Sequence, residues 1–181
     1  MREEGRPRYE PTAGLAHLRV LFEADRLELP RKPVPQVAPA LVVDAARRFK
    51  YRAEIKINDK GNSGLYFRTK PKPGFVDGYE AQIDSTHSDP IRTGSLYGMC
   101  HVYKKLVEPD AWFTYELEVR DDVWRGRPVT KIKITVNGDE LYEYFDFDLT
   151  FKEGHFAFQQ HDPGSKVSIR KIEVLELPAK K

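Results

Sequence analysis

From residue 40 onward the sequence alternates apolar and polar side chains in steps of two, a period that admits strands and leaves little room for helices. Successive side chains of a strand point to opposite faces, so strict alternation describes a strand with one dry and one wet face. Phe49, Tyr51, Ala53, Ile55 and Ile57 alternate in this way with Lys50, Arg52, Glu54 and Lys56. Asn58–Asn62 reads as a turn, after which Leu65 and Phe67 alternate with Tyr66 and Arg68. A loop follows over Lys70–Gly74, and Tyr79, Ala81 and Ile83 then alternate with Glu80, Gln82 and Asp84. Ser85–Thr93 reads as a longer loop before a strand-like Ser95–Val102. Phe113–Arg120 and Thr130–Val136 are further strands, and Asn137-Gly138 marks a hairpin because both residues tolerate the positive φ of a type I′ turn. Residues 155–161 and 166–177 complete the set. Many short strands joined by hairpin-sized loops predict an all-β fold, an antiparallel β-sandwich.

The beginning of the chain is less regular. Residues 15–29 are ambiguous between a short helix and a strand, and Pro30, Pro33, Pro35 and Pro39 then interrupt regular structure. Residues 1–39 therefore read as a proline-rich lead-in that contributes an early strand at most, and residues 40–177 as the sandwich. With 181 residues the chain can fill one core, not two. A net charge of +2 with mixed signs along the chain argues against a nucleic-acid partner, and the cluster Arg47, Arg48 and Lys50 reads as a solvated strand entrance. The single cysteine, Cys100, forms no intrachain disulfide and reads as a small strand filler. No apolar run approaches the roughly 20 residues of a membrane span. Met1 is followed by Arg-Glu-Glu-Gly rather than by a signal peptide. The protein is thus expected to be cytoplasmic as the sequence stands, or periplasmic or secreted where a leader has been removed. The sequence does not reveal the oligomeric state.

Side-chain parity also selects a candidate site. Glu80, Gln82 and Asp84 share one strand face, opposite the core-facing Tyr79, Ala81 and Ile83. Carboxylates and carboxamides in a row suit sugar hydroxyls, which both donate and accept hydrogen bonds. Tyr66 and Arg68 share parity on the preceding strand, and Gln159 and His161 share it on a late strand whose Phe156 and Phe158 face the core. If these strands are neighbours, an acid, a base and a cation converge on one sugar-facing surface. His87, His101 and His155 read as structural. A non-catalytic, lectin-like carbohydrate-binding module is the alternative, with Trp112, Trp124 and Tyr103 as stacking candidates. Trp112 then belongs to the core, and Trp124 to a polar loop inserted over Asp121–Pro128. A protein-interaction scaffold is a third reading, resting on the proline-rich lead-in.

From about residue 40 to 177 the chain resembles the 3-keto-disaccharide hydrolase domain. The pieces that carry the likeness are Asn62-Ser-Gly-Leu-Tyr-Phe-Arg68, Gly78-Tyr-Glu-Ala-Gln-Ile-Asp84, Thr93-Gly-Ser-Leu-Tyr-Gly98, Val136-Asn-Gly138 and Gly154-His-Phe-Ala-Phe-Gln-Gln-His161. The resemblance implies a concanavalin A-like jelly roll that cleaves glycosides oxidised to a ketone at sugar carbon 3. Arg68, Glu80, Gln82, Asp84, Tyr97, Gln159 and His161 fall on its motif positions. Such a ketone acidifies the proton on carbon 2; removing that proton gives an enolate that expels the group on carbon 1, and addition of water completes a net hydrolysis. Glu80 or His161 is the expected base and Arg68 the expected oxyanion holder. Tyr66, Gln82, Tyr97 and Gln159 would bind substrate. A divalent metal held by Glu80, Asp84 and His161 is a further expectation, as a Lewis acid for the enolate.

Overall fold

The described residues form ten strands. The computed structural model describes residues 17–28, 37–41, 48–70 and 77–178. The strands are β1 (His17–Glu28), β2 (Val37–Leu41), β3 (Arg48–Ile57), β4 (Asn62–Thr69), β5 (Tyr79–Asp84), β6 (Phe113–Trp124), β7 (Arg127–Val136), β8 (Asp139–Asp146), β9 (His155–Gln159) and β10 (Val167–Glu176). They pair antiparallel in two sheets, one of six strands in the order β1-β10-β3-β6-β7-β8 and one of four in the order β2-β9-β4-β5. The fold is the antiparallel sandwich that the alternation calls for, of the concanavalin A-like jelly-roll kind that the resemblance implies.

The two sheets meet over the dry positions of each strand. Phe49, Ile55 and Ile57 of β3 and Leu65 and Phe67 of β4 have no exposed surface. Rings join the layers: Phe49 of the larger sheet packs edge-to-face on Phe156 of the smaller at 4.9 Å and on Phe67 at 6.2 Å. Each ring withdrawn from water in this way contributes on the order of 2 kcal/mol. The wet face of the larger sheet is laced with ion pairs instead, Lys50 to Glu118 at 2.9 Å and Arg52 to Glu173 at 3.6 Å among them.

Two tight turns set the longest hairpins. Asn137 (φ 52°) and Gly138 (φ 87°) join β7 to β8 with the positive-φ pair the sequence calls for. Arg125 (φ 48°) and Gly126 (φ 78°) make a second such turn between β6 and β7, where Trp124 pairs with Arg127. Asp121–Pro128 is therefore not a loop insertion: β6 and β7 run straight through it, with Asp121 opposite Thr130.

The ambiguity over residues 15–29 is resolved as a strand, residues 17–28 forming β1, hydrogen-bonded along β10. Other expectations need correction. Pro39 lies within β2, where it is tolerated because β2 is an edge strand whose pairing with β9 shifts register between Ala38 and Leu41. Pro30, Pro33 and Pro35 lie outside the described residues. Ser95–Val102 is not a strand. Leu96 bridges both Ala81 and Cys100 around a turn that Gly98 (φ 74°) permits. Trp112 is not in the core: it is half-buried outside the larger sheet, with Arg170 and Lys56 over its ring at 4.5 and 5.3 Å.

Candidate functional site

The outward face of the four-stranded sheet carries a polar cleft of about 320 Å³. Strand parity places Tyr66 from β4, Glu80 and Gln82 from β5 and Gln159 from β9 around it, with Asn62 and His161 beside them. The segment after β5 closes one side. Its backbone runs along the β5 edge, the Gln82 amide donating to Ser95 O at 2.9 Å and the Tyr97 amide to Glu80 O at 2.9 Å. That segment brings Asp89 and Tyr97 to the cleft, where the Tyr97 hydroxyl donates to Asp89 Oδ2 at 3.1 Å.

Glu80 is the best-placed acid–base group. The Tyr66 hydroxyl donates to its Oε2 at 2.8 Å, and Gln159 Nε2 donates to the Tyr66 oxygen at 3.3 Å. Burial pushes the Glu80 carboxyl up to about 7; the hydrogen bond from Tyr66 pulls the other way and the negative charge of Asp89 adds to the rise. Burial, with the nearby Glu80 charge, drives the Tyr66 hydroxyl far above its ordinary range, so it remains a donor. Gly64 makes the arrangement possible, because a methyl group there would meet Glu80 Cδ at 2.8 Å.

Gln82 and Gln159 are almost wholly buried, and their Oε1 atoms accept no hydrogen bond within the protein. Their amide nitrogens are engaged, Gln82 Nε2 donating to Asn62 Oδ1 at 3.2 Å and Gln159 Nε2 donating to Tyr66. A buried acceptor without a donor costs about 1–3 kcal/mol, so two of them beside one cleft form a ready receiver for hydroxyl groups.

His161 approaches from beyond β9. Its Nδ1 lies 3.3 Å from Asp162 Oδ2, and the edge of its ring packs on His87 at 5.7 Å. Burial opposes the Asp162 charge, but hydrogen bonds from Ser165, His161 and the Gly164 amide outweigh it and hold this carboxyl below the ordinary range. An ionised Asp162 favours a His161 proton on Nδ1 and leaves Nε2 to take up a further proton.

Three expectations change here. Arg68 is turned out of the cleft: its positive φ of 53° breaks the alternation after Phe67, and pairing with β9 slips between Tyr66 and Thr69. Its buried guanidinium donates to Asp121 Oδ1 at 2.9 Å, to Phe151 O at 3.0 Å and to Thr130 Oγ1 at 3.2 Å, tying the two sheets together. Asp84 is buried and anchors the loop after β5, accepting from Arg92 Nη1 at 3.0 Å and from the His87 amide at 3.1 Å. Glu80, Asp84 and His161 consequently do not gather as one ligand set. Among the described residues the donor atoms that converge, within 4.8 Å of one another, belong to His87, His161 and Asp162. His87, expected to be merely structural, thus belongs to the site's surroundings.

The parity argument did not reach Asn62, which reads from sequence as a turn but opens β4, nor Asp89 in a loop, nor Gly64, which has no side chain to place. Of the aromatics expected in a binding module, Trp124 sits on the larger sheet, edge-on to Phe145 at 5.3 Å with Lys131 over its ring at 5.0 Å. Tyr103 is exposed, its ring beside that of His101.

The scaffold is a concanavalin A-like jelly roll with a polar cleft, and its family is one of carbohydrate-active proteins. Residues 33–175 match the 3-keto-alpha-glucoside-1,2-lyase-like domain, and the chain belongs to that family. A protein of Parabacteroides distasonis described as a candidate glycosyl hydrolase shares the fold, with a TM-score of 0.66 and 15% identity over 89% of this chain and 100% of its own. The exoplasmic/lumenal domain of VIP36, in a Ca²⁺- and mannose-bound form, has a TM-score of 0.55 at 8% identity, covering 92% of this chain and 85% of its own. No curated protein matches the chain.

Proposed function

We propose that the protein cleaves glycosides whose sugar is oxidised to a ketone at carbon 3, by elimination across carbons 1 and 2 followed by hydration. The observation that supports this most is one cleft holding a buried carboxyl poised near neutrality, an Asp-backed histidine and two buried carboxamide oxygens without partners. The ionised Glu80 takes the proton from carbon 2, and the electron pair moves into an enolate on the carbon-3 oxygen. Collapse of the enolate breaks the bond from carbon 1 to the leaving oxygen, which takes a proton from Nε2 of a His161 that enters the cycle as the imidazolium. Water then adds to the resulting enone: its hydroxyl goes to carbon 1, its proton returns to His161, and Glu80 gives its proton back to carbon 2, completing a net hydrolysis. Gln82 and Gln159 accept hydrogen bonds from sugar hydroxyls, and Tyr66 holds the Glu80 carboxylate toward the ring. Arg68 plays no part, since its guanidinium is committed between the sheets.

The test is turnover of a 3-keto disaccharide beside its unoxidised parent. Only the keto substrate should be cleaved, and both Glu80→Gln and His161→Ala should lower kcat by a hundredfold or more, in the range for a lost acid or base. Full activity in both variants would sink the assignment. Binding of either sugar without cleavage would leave a lectin-like module instead. A chelator arm addresses the metal: lost turnover there would indicate a divalent ion, for which His87, His161 and Asp162, where donor atoms converge, are the candidate ligands.

A further inference from the structure

Beyond the cleft, one wall continues outward as a short ladder of rings. Tyr97, at the cleft, is 42% exposed and Tyr103 is 64% exposed; with Val123 and Trp124 on the opposite sheet they are the exposed large hydrophobic side chains among the described residues. His101 stands between the two tyrosines, its ring 6.0 Å from each. The ladder is held in place. Leu96 and Cys100 exchange backbone hydrogen bonds of 2.8 and 2.9 Å, the Gly98 amide donates to His101 Nε2 at 3.0 Å, and the Val102 amide donates to Ser95 Oγ at 2.8 Å. From the larger sheet, the Tyr142 hydroxyl donates to Gly94 O at 2.8 Å. Rings ordered before binding lose little freedom when a ligand arrives.

We infer that Tyr97, His101 and Tyr103 form a subsite for the leaving group, one that stacks on a flat-faced ring, glycosyl or aryl, and favours it over an acyclic alcohol. The inference rests on the proposed cleavage of a 3-keto sugar. The loop that carries His87, packed on His161, also carries Asp89, which holds Tyr97. The residue that protonates the leaving oxygen and the root of the ladder are thus tied to one loop, and a group departing from carbon 1 meets the ladder next. An aromatic face against such a ring adds selectivity without touching the reacting atoms.

The experiment compares kcat/KM for methyl, phenyl and glucosyl 3-keto-alpha-glucosides in the wild type, Tyr103→Ala, Tyr103→Phe, His101→Ala and Val123→Ala. Wild type should favour the ring-bearing substrates over the methyl one by about tenfold, and Tyr103→Ala should shrink that ratio roughly three- to tenfold, the range a ring contact supplies. Tyr103→Phe and the distant Val123→Ala should retain it. Preference for phenyl alone identifies an aryl leaving group, and preference for both identifies rings in general. A wild-type ratio near one, or a ratio unmoved by both Tyr103→Ala and His101→Ala, overturns the subsite while leaving the cleavage standing. If no keto substrate turns over, the cleavage fails and the ladder is judged by binding of phenyl glucoside, followed by tyrosine fluorescence. Binding that Tyr103→Ala weakens sustains the subsite; equal binding, or none, overturns it.

Discussion

Glu80 carries two consequences at the level of a single residue. As a base it must be ionised, so kcat/KM should climb with pH through an inflection near 7, the value to which burial brings it. The same burial bears on stability. The folded-state value lies above the ordinary 4.5, so the contribution of Glu80 to stability is fully present below about pH 4.5 and is lost as pH rises through about 7. Glu80→Gln keeps an oxygen to accept the Tyr66 hydrogen bond and removes the charge. We expect it to be inactive, yet more stable than the parent by on the order of 2 kcal/mol at pH 8, with no difference near pH 4. Thermal melts of both proteins across that range would show it, and a variant that is less stable at pH 8 would contradict the burial argument. Gly64 offers a milder perturbation. A methyl there collides with the Glu80 side chain rather than with backbone, so Gly64→Ala should fold and should displace the carboxyl. Displacement of a reacting group by an ångström costs about a hundredfold, and kcat should fall by that order with little change in Tm.

Among the elements, what the sequence discloses follows how evenly each strand divides its faces. β3, with a buried residue at every second position, is legible at once, and so is the polar row of β5, whose neighbours Tyr79, Ala81 and Ile83 are all core. β8 is not, because it is an edge strand in which only Asp146 is fully buried and no period emerges. Ser95–Val102 has strand-like composition, but its turn is fixed by contacts from β5 and from Tyr142, which no local pattern encodes. Parity likewise brings Tyr66, Glu80, Gln82 and Gln159 to one cleft and fails at Arg68, where a single left-handed residue reverses the count. That reversal is testable. Arg68→Met removes hydrogen bonds to Asp121 and Thr130 of the other sheet and to Phe151 between β8 and β9, and should destabilise the protein by about 2–4 kcal/mol, while KM of the folded fraction stays within about twofold of the parent. A large rise in KM without loss of stability would return Arg68 to the site.

For the molecule as a whole, the site depends on a sheet whose outer edges come from opposite parts of the chain. The cleft lies on the four-stranded sheet, where β2 covers one side of β9 and residues 93–97 cover β5. β1 does the same for β10 in the larger sheet. The first two strands thus close the open flanks of two strands formed last in sequence, β9 and β10, and β9 carries Gln159 and leads directly to His161. Pairings this distant along the chain belong to slow-forming β topologies, in which an unprotected edge is exposed to pairing with other molecules. We expect a chain that starts at residue 48 to lose solubility and activity together, although every side chain assigned to the cleft is still present. Size-exclusion profiles and turnover of the two lengths at equal concentration would decide it. A soluble, monomeric and fully active short form would show that the cleft needs only β3 to β10.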